Sequence, residues 1–227
     1  MTLSIRWKPL IFFVMLAMLA YGGYYYWDTR IKIIPEELFQ KTLEKLSQLE
    51  SFRYNVELRL NTGGHERNIS QIQGERDGAG AFFLTGTIEG TKIEAYHVDN
   101  NTYLRTGDAE KWMTIPGNEV FDQELFMIEI DPLAGFRFTR ADEFTYLGPV
   151  KLEDQKLYIL NLQPEIDHPF MVKHWRDFDY TLYVKRNGDL VKAEVTGVLK
   201  AKPTDTMTMV VEFWDYNAKI KLEPPVQ

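Results

Sequence analysis

The spacing of apolar residues changes character twice along the chain. From Pro9 to Trp27 there is no period at all, only 19 consecutive residues without a charge. As a helix rising about 1.5 Å per residue the run spans roughly 28 Å, close to the hydrocarbon thickness of a bilayer. A connector over 28–34 follows, and then a helical period sets in. Leu38, Phe39, Leu43, Leu46 and Leu49 fall on one stripe, with Glu36, Lys41, Glu44, Lys45 and Gln48 turned away. Pro35 followed by Glu36 and Glu37 suits a helix N-terminus, so the pattern predicts an amphipathic helix over 35–50.

After Ser51 the period falls to two. Phe52, Tyr54, Val56, Leu58 and Leu60 alternate with Arg53, Asn55, Glu57 and Arg59, which describes a half-buried strand. Further strands are predicted over 68–75, 80–88, 91–98, 101–106 and 111–115. A second series covers 143–150, 156–163, 178–187, 189–200, 205–216 and 217–223. Turn signals separate them: Gly63-Gly64, Asn100-Asn101, Pro116-Gly117 and Asn187-Gly188. One segment breaks the series. Over 119–131, Val120, Phe121, Leu125, Phe126, Ile128 and Ile130 predict a helix apolar over most of its girth, closed by Asp131-Pro132. A surface helix needs only one apolar stripe, so this one must be enclosed on two sides or face something greasy. The predicted fold class is α+β: a long, curved antiparallel sheet, an unclosed β-barrel of about ten or eleven strands. Helices lie on its concave side, and an N-terminal transmembrane helix precedes it.

The flanks of the first segment orient it. Arg6 and Lys8 precede it, which favours a cytoplasmic N-terminus, and Trp7 and Tyr24 to Trp27 suit two interfacial belts. Ala20-Tyr21-Gly22 is a poor cleavage site with bulky residues behind it. The expectation is residues 1–8 in the cytoplasm, an uncleaved anchor over 9–27, and an extracytoplasmic domain over 35–227 in the cell membrane of a bacterium. A cleaved export signal and a buried soluble helix are the alternatives.

Composition then narrows the chemistry. Arg6 and Lys8 are the only charges up to Trp27, leaving 24 basic against 33 acidic residues, a net of −9, for the rest. Such a domain has no electrostatic footprint for nucleic acid. With no cysteine there is no disulfide, thiolate catalysis or lipid-acceptor thiol. The four histidines, His65, His97, His168 and His174, form no metal-binding spacing, and no Gly-x-Ser-x-Gly elbow is present. The expectation is therefore no enzyme, no metal and no cofactor. What stands out instead is adaptable apolar surface on strands: Met207, Met209, Val211 and Phe213 share one face, with Thr206, Thr208 and Glu212 opposite. An ordinary sheet–helix core and an acyl-chain cavity both accommodate that pattern.

The order of motifs carries a resemblance. An anchor segment precedes Leu43-x-x-Leu46-x-x-Leu49-x-Ser51-Phe52. Then come Ile72-Gln73-Gly74, a hairpin with Tyr103-Leu104-Arg105 and Lys111-Trp112, and finally Thr181-Leu182-Tyr183-Val184-Lys185-Arg186-Asn187-Gly188-Asp189-Leu190-Val191-Lys192-Ala193-Glu194-Val195. Over about 35–223 the chain resembles the LolA/LppX-type superfamily of bacterial lipid and lipoprotein carriers. The resemblance implies an antiparallel half-barrel closed by a helical lid, with lipid or an acylated protein as partner and no catalysis. By position it implies a cavity lined by Leu58, Leu60, Phe83, Ile93, Phe126, Leu133, Leu182, Val184, Met207, Met209, Val211 and Phe213. An envelope-stress sensor with a protein partner, and a ligand-free envelope scaffold, are the other functions this fold accommodates.

Overall fold

The computed structural model describes residues 7–26, 32–117, 127–141, 143–152 and 154–225. The chain divides into two compact units, residues 1–36 and 37–227.

In the first unit, helix α1 runs Trp7–Tyr26. Its described side chains, residues 13–24, are all exposed, including Phe13, Met18, Leu19 and Tyr21. Among the described residues no helix is long and apolar enough to cross a membrane. The expected span over 9–27 extends beyond them at Trp27, and beyond the described side chains at both ends.

The second unit is built on one antiparallel sheet of eleven strands. Helix α2 (Pro35–Ser47) leads into β1 (Phe52–Thr62), β2 (His65–Arg76), β3 (Phe82–Ile88), β4 (Thr91–Val98), β5 (Asn101–Thr106) and β6 (Met113–Pro116). A short α3 (Met127–Ile130) and a 3-10 helix (Pro132–Phe136) then cross to β7 (Phe138–Arg140). The chain continues through β8 (Phe144–Leu152), β9 (Gln155–Leu162), β10 (Glu165–Ile166), α4 (Pro169–His174), β11 (Trp175–Val184), β12 (Leu190–Leu199) and β13 (Thr206–Trp214). The order across the sheet is β6-β5-β4-β3-β2-β1-β13-β12-β11-β9-β8, with β7 and β10 paired separately. The end strands β6 and β8 do not pair, so the sheet is open, as the sequence predicts.

Local chemistry sets the turns. Asp99 (φ 53°) and Asn100 (φ 61°) take the left-handed conformation that a two-residue hairpin needs, and both residue types tolerate it. The Asn187-Gly188 hairpin is wider than its dipeptide suggests. Lys185 N–H donates to Asp189 O at 2.8 Å, only Gly188 is left-handed, and the β11–β12 register slips at Tyr183/Val184. A bulged turn takes up that slip.

One element predicted from the sequence does not form: residues 217–223 are no strand. Their neighbour β13 is flanked on both sides by β1 and β12 and offers them no free edge, and Asp215 and Asn217 turn the chain with positive φ. The predicted helix over 119–131 lies largely outside the described residues. Its end is seen as α3.

The core sits on one face of the sheet. Cross-strand register aligns Tyr54 with Gly74 and Phe213, Val56 with Ile72 and Val211, and Leu84 with Gly74 and Ala95. On the other side Val195, Tyr180 and Leu162 continue the row. Nearly every member is buried, as period-two patterning with one face inward requires. Helix α2 packs Leu38, Phe39 and Leu46 inward, and Lys45 bonds Asp189 at 2.6 Å.

Candidate functional site

The strap from Met127 to Phe138 crosses the inner face, and two buried tyrosines hold it. Tyr54 on β1 donates its hydroxyl to Glu129 O at 2.7 Å and to Ile130 O at 3.2 Å. Tyr180 on β11 donates to Gly135 O at 2.7 Å. Burial pushes both phenols far above their ordinary value, so both remain donors at any physiological pH. Phe136 then packs edge-on against Tyr180 and Phe213, with centroids 6.0 and 5.9 Å away. Gly74 makes room for this arrangement, because a Cβ there would overlap the Tyr54 ring.

Glu129 is the buried charge of the strap, 6% exposed, and it accepts from Ser70 Oγ at 2.8 Å. Burial raises its carboxyl pKa, with the Ser70 hydrogen bond opposing. A carboxyl whose folded pKa is raised contributes stability that is complete below its unfolded value and is lost as pH rises through the folded one. Glu129→Gln is therefore expected to raise the urea midpoint at neutral pH, the gap closing as pH falls below the ordinary value of 4.5. Equal midpoints at every pH would refute this.

Between α2 and the strap lies an open groove of ≈ 500 Å³. Leu43, Leu46, Leu49, Leu133, Phe136 and Phe138 supply its apolar wall, and Arg76, Asp131 and Arg137 its charged part. The volume falls within the roughly 300–1,000 Å³ of small-molecule sites. Asp131 is non-helical before Pro132 (φ −122°, ψ 75°), where proline disfavours the helical conformation. Its carboxylate lies 3.5 Å from Arg76 and 3.7 Å from Arg137.

The residues implied by the resemblance fall into five groups. Leu182, Val184, Met207, Met209, Val211 and Phe213 are buried on the inner face, and Ile93 joins Ile72, Phe82, Leu84 and Ala95 in a cluster there. Leu58 and Leu60 are on the same face by register, half-buried beside Met209 and Met207. Leu133 is on the strap and lines the groove. Phe83 is a correction: it pairs with Glu75 and Tyr96 on the outer face, its ring 4.3 Å from that of Tyr96, while Phe82 and Leu84 point inward. Phe126 lies outside the described residues.

The sequence reading passed over Tyr180, Glu129, Arg76 and Arg137. A tyrosine at an inward strand position was the available signal, since a buried hydroxyl needs a partner. Among the described residues no group of three or more acidic or histidine side chains is placed to hold a metal ion.

No family model matches the sequence, and no curated protein matches it. Solved structures do. The chain superposes on LprF from Mycobacterium bovis with a TM-score of 0.61 at 10% identity, covering 86% of this chain and 99% of that one. The fold is of the LolA/LppX type. Lipoprotein LppX from Mycobacterium tuberculosis gives a TM-score of 0.56, also at 10% identity, covering 82% of this chain and 97% of that one. The LolA/LppX-type resemblance drawn from motif order thus holds at the level of the fold, over most of the chain, where sequence identity alone is too low to detect it.

Proposed function

We propose that this protein is a non-catalytic, extracytoplasmic binder of lipid or lipoprotein acyl chains, held at the membrane by α1. The groove between α2 and the strap carries the reading. It joins six large apolar side chains from α2, the loop after it and the strap, is open to solvent, and lies on the inner face of a LolA/LppX-type sheet. About half of the groove's lining is apolar, and that half, left empty, exposes surface that water solvates poorly. An acyl chain would cover it. The likeness to lipoprotein LppX supports the same reading through the fold.

Purified protein extracted with organic solvent is expected to release acyl lipid in near-stoichiometric amount. A protein that yields none, and takes up none when a monoacyl lipid is added, would contradict the proposal.

The anchor rests on the uncharged run 9–27 and on the exposed apolar side chains of α1. The protein is expected to stay with the membrane pellet through alkaline carbonate washing. Release into the supernatant would sink the anchor but leave the groove untouched.

A further inference from the structure

We propose that the groove beside α2 selects acyl lipids with an anionic headgroup, and that Arg76 and Arg137 hold the charge. The inference rests on the acyl-binding reading and adds the headgroup to it.

The charge balance of the groove comes first. Among the described residues Asp131 is the sole acidic side chain lining the groove, against two guanidiniums. The chain as a whole is acidic, with a net of −7, so a local excess of +1 beside an apolar wall runs against the rest of the surface. An amphiphile with a negative head and an apolar tail matches both halves of this groove.

The pairing within the cluster is also loose. The contacts from Arg76 Nη1 and Arg137 Nη2 to Asp131 are too long for hydrogen bonds. Asp131 Oδ1 is buried and has no hydrogen-bond partner. Among the described residues neither guanidinium donates a hydrogen bond, although each carries five N–H groups. One carboxylate cannot satisfy two such forks. A phosphate can accept from both, and bidentate pairing with phosphate is the geometry to which guanidinium is best suited.

A third unspent donor stands nearby. His168 is 2% exposed, and its Nδ1 accepts the Met171 N–H at 3.4 Å to cap α4. The proton of the neutral ring is therefore on Nε2, which is buried without a partner. The backbone brings this histidine beside Arg137, because Asp167 N–H donates to Arg137 O at 2.9 Å. Burial holds the imidazole pKa down, which favours the neutral ring beside the two guanidiniums.

The test uses the full chain in a neutral maltoside detergent, with native mass spectrometry as readout. Lysophosphatidylglycerol and a monoacylglycerol of the same acyl chain are the two probes. The anionic lipid is expected to bind about tenfold more tightly, the scale of one charge-assisted contact. That preference should shrink as salt is raised, since Arg137 is exposed. It should collapse in the Arg76→Gln/Arg137→Gln double variant. The salt series on the unaltered protein decides the matter if the variant misfolds. Equal binding of the two probes, unmoved by salt, overturns the headgroup site and leaves the acyl groove standing. Failure of both probes to bind overturns the acyl reading itself. Displacement of the lysolipid by inorganic phosphate alone shows a free-phosphate site and overturns selection of a lipid.

Discussion

Gly86→Ala is expected to destabilise the second unit by about 3 kcal/mol or more, the sum of backbone strain and overpacking. Gly86 sits in β3 with φ +156°, paired with Ile72 and Ile93. A Cβ there would overlap the Gln71 carbonyl oxygen and lie 2.9 Å from Ile72 Cα. Both obstacles are backbone of the neighbouring strand, so no rotamer change relieves them. Thermal denaturation should show a large fall in Tm. A fall of only one or two degrees would mean that β2 and β3 are less tightly registered than described.

Met209→Ala should cost about 2–5 kcal/mol, the range for truncating a buried large apolar side chain. Met209 is 0% exposed at the centre of the sheet, between Leu58 on β1 and Val195 on β12. Its methyl group reaches the strap: a Cβ built on Gly135 would lie 3.8 Å from it. The truncation therefore removes filling from the seam between sheet and strap. Urea denaturation measures the cost directly. Hydrogen exchange in residues 130–136 is expected to speed up as well. Unchanged exchange there would show that the strap is held by its tyrosine hydrogen bonds alone.

Much of the sheet was legible because its physics is local. Strands β4 and β5 begin and end where the alternation and the Asp99-Asn100 turn place them. The inward set of β1 follows from parity, since Tyr54 and Val56 alternate with Arg53, Asn55 and Glu57. Phe83 shows where parity fails. Phe82-Phe83 is an aromatic doublet, and a period of two sends one ring to each face without saying which. The cross-strand partners decide, and those come from folding, not from the neighbouring sequence.

The strap and its cation pair were not legible for a different reason. Asp131 to Phe138 has no period, because a segment held by side-chain hydrogen bonds to its carbonyls needs none. Arg76 ends a strand and Arg137 lies far along the chain. Only the crossing of the inner face brings them to one carboxylate. Residues 217–223 carry the converse lesson: their alternation was real, but a strand also needs a free edge.

The most direct test of the central claim is photo-crosslinking with a diazirine-bearing acyl lipid, followed by mapping of the labelled peptides. Labels are predicted on peptides covering Leu43–Leu49 and Asp131–Phe138, the two walls of the groove. Labelling confined to the outer face around Phe83 and Tyr96, or no labelling at all, would contradict the account.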